Sequence, residues 1–256
     1  MTEENHFSRR IVAGNSLKPW LILGPFYEDL GAVVQGLTLF EKSGATVGVR
    51  AMEEIVTQAR PILASSPEEG VEAVFRDQVA RWSLVRRPEE YLSWGRYNIS
   101  NHLGAAFLTT IVQPEEAGTY HWRLSVGISL RALVAVNGEV VYDTAQSPVA
   151  QEHGVFVYRF EAPLAAGDSR VTVALFRLGR MAQVGCRLEL DDGAVAARVP
   201  LGRGVSEARR ERVEEEVNGL RLERDVFYPN HPVGVEFSTA PEGQVHLALF
   251  SDEYTL

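Results

Sequence analysis

The dipeptide Asn137-Gly138 lies between two apolar runs, at 130–136 and 139–142, that are typical of β-strands. Both central residues of a type I′ turn need a positive φ, which asparagine and glycine adopt more readily than other residues. Such a turn joins the flanking runs as neighbouring antiparallel strands. The sequence therefore predicts a β-hairpin here and an antiparallel sheet around it.

The hairpin belongs to a longer series of strand-like runs. In one run, every second residue is apolar, so that Tyr120, Trp122, Leu124 and Val126 share one face. Further runs of this kind lie at 104–112, 155–160, 170–178 and 185–190. Turn sequences separate the runs and no helical pattern lies between them. Strands at this spacing predict an antiparallel β-sandwich rather than βαβ units.

A helical pattern precedes the series of strands. Apolar residues fall at helical spacing at Met52, Ile55, Val56 and Ala59. We predict a helical insertion at 28–64, weakened beyond Pro61, within a β-sandwich domain that spans 18–200. Residues 1–17 are predicted to be an N-terminal tail.

A second helical pattern follows the sandwich. Ser206 is a suitable N-cap for a helix with apolar residues at Val213, Val217 and Leu220. We predict a linker helix at 201–222 and a short C-terminal β segment at 223–256. Because so few strands cannot bury a sheet face alone, this segment either packs back on the sandwich or begins a second domain.

The charge and hydropathy of the chain exclude several classes of partner. The formal net charge is −9 and the pI is about 5.3, which disfavours a phosphate backbone, so no nucleic acid is expected. No segment approaches the roughly 18 apolar residues of a membrane span, so no membrane partner is expected either. The first fifteen residues contain no apolar stretch typical of a secretory signal. A cytoplasmic location is therefore predicted.

Several segments resemble the framework of galactose-binding-like jelly rolls, the accessory modules of bacterial carbohydrate-active enzymes. They cover roughly residues 18–190 and are the opening Trp-Leu-Ile-Leu-Gly-Pro-Phe at 20–26, the strand at 105–110, the hairpin at 134–141 and the close at 160–173. This resemblance implies a mostly β fold of the jelly-roll type. It also implies a carbohydrate partner, and a glycoside-hydrolase-type catalytic domain downstream.

Aromatic residues are the first candidates for a sugar site, because sugar rings stack on exposed aromatic faces. Trp94 and Tyr97 lie in a loop-like stretch at 91–97, where exposure is expected. We therefore predict Trp94 and Tyr97 as ligand-binding residues. Trp122 alternates with apolar residues and is predicted to lie in the core.

No catalytic residue, metal ligand or cofactor is predicted from the motifs. The six histidines form no H-x-H or H-E-x-x-H pair, and the sequence has no G-x-S-x-G elbow. The lone cysteine, Cys186, alternates with leucines and is predicted to be a buried hydrophobe. Asp191-Asp192-Gly193 has carboxylates of the type that bind calcium, but a solvated turn is the simpler interpretation.

Three functions remain open at this point. The first is a non-catalytic β-sandwich module, carbohydrate-binding-like or structural, associated with a polysaccharide-degrading enzyme. The second is an assembly domain that mediates subunit or domain contacts, for example in a homo-oligomer. The third and weakest is a stand-alone glycoside hydrolase, whose carboxylate pair a single sequence cannot show.

Overall fold

The computed structural model describes residues 6–29, 51–85, 92–93, 102–127, 130–146, 150–152, 155–179, 185–202, 212, 215, 221–222 and 234–236. The chain divides into two compact units, Met1–Gly202 and Arg203–Leu256. The first unit is mostly β. Its strands are β1 (His6–Val12), β2 (Trp20–Asp29), β3 (Glu72–Phe75), β4 (Gln78–Arg81), β5 (Ser83–Val85), β6 (Leu92–Ser93), β7 (His102–Pro114), β8 (Gly118–Gly127), β9 (Leu130–Val136), β10 (Glu139–Asp143), β11 (Ala150–Glu152), β12 (Val155–Leu164), β13 (Ser169–Gly179), β14 (Gly185–Leu190) and β15 (Ala194–Pro200).

Two antiparallel sheets form the sandwich. Sheet A has the strand order β1-β15-β7-β13-β9-β10, with β2 beside β7 and β5 beside β2. Sheet B has the order β11-β12-β8-β14-β6. The inner faces of both sheets supply one hydrophobic core, which includes Trp122, Leu124, Leu108 and Val173. The predicted antiparallel β-sandwich is confirmed, and Trp122 lies in its core as predicted.

The predicted hairpin joins β9 to β10. Asn137 and Gly138 have φ values of 52° and 87°, as a type I′ turn requires. The Asn137 side chain also accepts a hydrogen bond from the Arg170 backbone N–H at 2.8 Å. The turn is thereby tied to the start of β13, the strand that pairs with β9.

The other face of sheet A carries a second core beneath a helical layer. Residues 51–58 are helical, and a short helix, α1 (Arg60–Ala64), follows. Pro61 lies in the first turn of α1, where its missing N–H costs nothing, so it starts a new helix instead of only ending the previous one. The predicted helical insertion therefore ends as a helix, whereas its first residues up to Asp29 belong to β2. The second core includes Phe107, Phe176, Leu133, Ile55, Leu63, Phe75 and Trp82.

The N-terminal residues correct one expectation. Residues 6–12, predicted as part of a tail, form β1, which pairs with β15 along its whole length. Phe7 and Ile11 are buried, whereas Ser8, Arg9 and Arg10 between them are exposed, as is common for a charged strand at the edge of a sheet. The first strand of the sandwich is thus β1, ahead of the predicted start at residue 18.

The second unit is described only at a few residues. Arg212 and Glu215 are helical and exposed, within the predicted linker helix. Two short strands, β16 (Arg221–Leu222) and β17 (Val235–Glu236), pair antiparallel with each other. The predicted strand at 244–250 lies outside the described residues. Across the described part of the chain, no helix has the length and apolarity that crossing a membrane requires.

Candidate functional site: the outer face of sheet B

The two residues predicted to bind ligand, Trp94 and Tyr97, lie outside the described residues. Trp94 directly follows β6 in the sequence. β6 pairs with β14, through Ser93 opposite Gly185 and Leu92 opposite Cys186, and so belongs to sheet B.

Sheet B has one face in the core and one face directed away from it. Because successive side chains of a strand alternate between the two faces, the core positions of β8, β12 and β14 fix which residues point outward. Two turn residues after β14 contact the same outward residues. We name this set the outer face of sheet B: His121, Arg123, Ser125, Val157, Arg159, Glu161, Arg187, Glu189, Asp191 and Asp192.

A row of three side chains crosses the outer face at one end. The Nδ1 atom of His121 lies 2.6 Å from Asp192 Oδ2, and its Nε2 atom lies 3.1 Å from Glu161 Oε1. Glu161 lies opposite His121 in the register of β12 with β8. The sheet pairing therefore places the two side chains next to each other. The three side chains are roughly half exposed.

Asp192 is held more firmly than Glu161. The His121 backbone N–H donates to Asp192 Oδ1 at 2.9 Å, in addition to the ring contact. The Asp191 backbone N–H donates to the His121 carbonyl at 2.9 Å, which closes the turn onto β8. The hydrogen bond from the His121 backbone is the main cause that lowers the pKa of Asp192. Asp192 is therefore an ionised, fixed partner of the ring.

The ring is placed to be a cation. Its hydrogen bond with Asp192 is the main cause that raises the pKa of His121, and the charge of Glu161 raises the pKa further. Both ring nitrogens face carboxylate oxygens, and only the imidazolium form carries a proton on both. The row is thus a carboxylate–imidazolium–carboxylate arrangement, in which charged hydrogen-bonding groups are held in fixed positions.

The neighbouring rows surround a buried carboxylate. Glu189 is 1% exposed, and its Oε2 atom lies 3.0 Å from Arg123 Nε. Arg187 forms an ion pair with the other oxygen, Oε1. Arg123 also lies 3.5 Å from Asp191, so it links Glu189 to the turn that carries Asp192. Two guanidinium groups compensate the buried charge, as a desolvated carboxylate requires.

The buried residues of the outer face lie toward one end, and the exposed row of Glu161, His121 and Asp192 lies at the other. Ser125 and Val157 lie opposite each other on β8 and β12 and are 9% and 4% exposed. With Glu189 they form a floor from which the exposed side chains of Arg159, His121 and Glu161 rise. With His121 protonated, the face carries one imidazolium and three guanidinium groups against four carboxylates. Its charges are therefore balanced.

The described residues offer no metal site and no reactive thiol. Within the ranges that the structure describes, no group of three or more histidine, cysteine, aspartate or glutamate side chains is arranged to hold a metal ion. Cys186 is buried in the sandwich core as predicted, and burial raises the pKa of its thiol to about 12. A thiol of this kind is inert at neutral pH.

Sequence reasoning missed most of the outer face. Strand alternation correctly directs His121 to solvent, but it does not reveal that Glu161 and Asp192 lie on either side of the ring. Asp192 was interpreted as part of a solvated turn, and Glu189 was not singled out. The three strands that carry these residues, β8, β12 and β14, are not consecutive in the chain, and the register between such strands is set by contacts distant in sequence.

No protein-family model matches the sequence, and no curated protein matches it. Among solved structures, a β-glucosidase from Kluyveromyces marxianus in complex with glucose is similar to 59% of this chain, with 14% identity and a TM-score of 0.32. This chain spans 18% of the length of that enzyme.

Two smaller proteins are also similar to this chain. A family 35 carbohydrate binding module from an environmental isolate has 17% identity and a TM-score of 0.26, over 44% of this chain and 82% of the module. The PA14 sugar-binding domain from an RTX adhesin has 17% identity and a TM-score of 0.28, over 76% of this chain and 79% of that domain. Similarities of this size assign no function to this chain.

Proposed function

We propose that the chain is a non-catalytic module that binds a neutral carbohydrate on the outer face of sheet B. The observation that carries the proposal is the row of Glu161, His121 and Asp192, whose side chains are exposed, charged and fixed by one another. Sugars present neighbouring hydroxyl groups that both donate and accept hydrogen bonds. Carboxylate and guanidinium groups held in place on a sheet are suited to bind them.

The charge balance of the face supports a neutral ligand. The positive charges of Arg123 and Arg187 are directed to Glu189, and that of His121 is directed to Glu161 and Asp192. The exposed acceptors of the row are carboxylate oxygens, which accept hydroxyl protons, and the balanced total charge gives no net attraction for an anionic group. A neutral glycan fits this face better than a uronic-acid polymer.

The sequence resemblance to accessory modules supports the same proposal. Trp94 and Tyr97 remain the proposed stacking residues, since Trp94 follows the β6 strand of sheet B in the sequence. A stacking aromatic beside a polar face is the usual composition of a specific pocket, with apolar area for affinity and a few polar groups for orientation. Association with a polysaccharide-degrading enzyme is part of this proposal.

Isothermal titration against soluble neutral polysaccharides, with a uronic-acid polymer alongside, tests the proposal. We expect binding of at least one neutral polysaccharide and an affinity about tenfold lower for Glu161→Ala, the size expected for lost hydrogen bonds to a charged group. Glu72→Ala is the matched control, because Glu72 is an exposed strand glutamate paired with Arg81, 2.7 Å away on the β3–β4 hairpin. Absence of binding to every sugar, or equal affinities of the two variants, would overturn the proposal.

A second candidate function is an assembly domain, and one observation favours it. Val74 and Val79 form a cross-strand pair on the β3–β4 hairpin, and each is 62% exposed. Exposed apolar pairs on a strand are typical of contact surfaces. Sedimentation velocity over a concentration series tests this function: a self-association that Val79→Lys abolishes would support it, and a monomer at all concentrations would exclude a homo-oligomer.

A further inference from the structure

The two carboxylates of the outer-face row are anchored unequally to His121. Asp192 accepts from both the backbone N–H and the ring of His121, at 2.9 Å and 2.6 Å, and its turn is closed by the backbone of Asp191. Glu161 contacts the ring at 3.1 Å, and its side chain is 65% exposed. The ring contact of Glu161 is the longer and the more exposed of the two.

The contact between His121 Nε2 and Glu161 depends on the number of protons that the ring carries. A neutral imidazole has one N–H, and it donates to Asp192, the closer and more firmly held partner. The other nitrogen, Nε2, would then present a lone pair to Glu161 Oε1 at a distance of 3.1 Å. Two acceptors at this distance repel each other, so the contact between His121 and Glu161 exists only while the ring is a cation.

We propose that carbohydrate binding on the outer face of sheet B is linked to the protonation of His121, which holds Glu161 in position to accept the hydroxyl protons of a neutral glycan. Loss of the ring proton releases the Glu161 side chain from its fixed position. The site then loses a preorganised acceptor, because Glu161 has to be ordered again when the glycan binds. The inference rests on the proposed function of this face.

The strands and the turn next to His121 carry further charged side chains. β8 itself carries Arg123, which faces Glu189 on β14 and Asp191 in the following turn. β12 contributes Arg159, which precedes Glu161 by two residues and therefore lies on the same face of the strand. In the part of the chain that the structure describes, the charged groups paired with the ring are the carboxylates of Glu161 and Asp192.

The direction of the pH effect follows from these contacts. The carboxylates raise the pKa of His121 above its ordinary value of 6.5. The intact row is therefore fully present in weakly acidic solution, and it is lost as the pH rises through the raised pKa of His121. Affinity is expected to be highest in weakly acidic to neutral solution and to fall on the alkaline side.

The first test measures the ring without any ligand. In ¹⁵N-labelled protein, long-range ¹H–¹⁵N spectra distinguish a ring with two N–H groups from a neutral tautomer, and the His121 signals are identified by their loss in His121→Asn. We expect His121 to carry two N–H groups at pH 6.5 and to titrate above that pH. Asp192→Asn and Glu161→Gln should each lower its pKa. A neutral His121 at pH 6.5 would overturn the inference whatever the sugar result.

The second test measures affinity for the strongest-binding neutral polysaccharide between pH 6 and pH 9. We expect the wild-type affinity to fall about fivefold, as the loss of one exposed charged contact predicts, with its midpoint at the His121 pKa from the first test. Glu161→Gln should bind more weakly and show no such fall. Binding that is independent of pH would overturn the inference alone, whereas absence of binding at every pH would overturn the proposed function with it.

Discussion

Arg123 Nε lies 3.0 Å from Glu189 Oε2, and the Glu189 side chain is 2% exposed although it is on the outer face of its sheet. Arg187 forms an ion pair with the second oxygen of Glu189. A carboxylate removed from water is costly unless cations compensate its charge. Glu189 consequently fixes both arginines on the outer face of sheet B.

The buried ion pair gives the first prediction. Glu189→Gln keeps the side-chain shape but leaves Arg123 and Arg187 without the charge that they surround. We expect the free energy of unfolding at neutral pH to fall by about 2–3 kcal/mol, near the lower end for breaking a buried pair, since both arginines keep some exposure to solvent. Urea denaturation followed by circular dichroism measures the loss.

Glu115→Gln is the matched control for this prediction. Glu115 accepts from Arg10 at 2.6 Å, but the two side chains are 56% and 68% exposed. An ion pair in solvent contributes at most about 1 kcal/mol, so its loss should be small. Equal losses in the two variants would show that burial of Glu189 does not determine the cost.

The contrast between these two glutamates also shows what the sequence could predict. Alternation places Glu189 on the face of β14 opposite to Leu188 and Leu190, which by itself indicates an exposed residue. Its neighbours come from distant parts of the chain: Ser16 forms a backbone bridge with Glu189, and Arg123 on β8 pairs with its carboxylate. Such long-range pairing leaves no local periodic signal.

The same reason explains which strands were predicted. Strands with large apolar residues, such as β8 with Trp122, carry a clear period of two and were predicted from it. The strands β1 and β15 were missed, because β1 contains Arg9-Arg10 and β15 is rich in alanine. They form strands by pairing with each other, although they lie at opposite ends of the first unit in sequence. The fold class was thus predictable, and the partners at the site were not.

Burial of Cys186 gives the second prediction. The thiol is in the sandwich core, and burial raises its pKa to about 12, so it is protonated and shielded throughout the neutral range. We expect no alkylation by iodoacetamide in native buffer at about pH 8 and complete alkylation in concentrated guanidinium chloride, measured by mass spectrometry. Ser8→Cys, on the exposed side of β1, should react in native buffer. Native alkylation of Cys186 at the same rate would contradict its burial.

The helical layer is tied to sheet A through Arg131, which gives the third prediction. Arg131 on β9 donates from Nε and Nη2 to Asp143, at 3.1 Å and 2.7 Å, and from Nη1 to Glu53 in the helical residues 51–58 at 2.6 Å. Arg131→Met removes the positive charge paired with the largely buried Asp143, which keeps the hydrogen bond from the Ala145 backbone N–H. We expect a loss of about 2 kcal/mol in unfolding free energy, and faster amide exchange at 51–58.

Glu53→Gln separates the two contacts of Arg131. Glu53 is 59% exposed, so this variant removes the contact to the helix but leaves the Arg131–Asp143 pair intact. The Glu53→Gln variant should lower the unfolding free energy by less than about 1 kcal/mol. If Glu53→Gln destabilised the protein as much as Arg131→Met, the helix contact and not the Asp143 pair would dominate.

Gly138 gives the last prediction, because it combines a positive φ with a close contact. Its φ is 87°, and a Cβ atom added there would lie 3.1 Å from Ala64 Cα at the end of α1. Gly167 has a similar φ of 90°, and a Cβ there would meet nothing within 4 Å. Gly167→Ala therefore measures the conformational cost alone, expected at about 1 kcal/mol. Gly138→Ala should cost about 1–2 kcal/mol more, since a backbone atom of α1 has to move. Chemical denaturation measures the unfolding free energy of both variants. Equal losses would mean that α1 shifts away from residue 138 without an energetic cost.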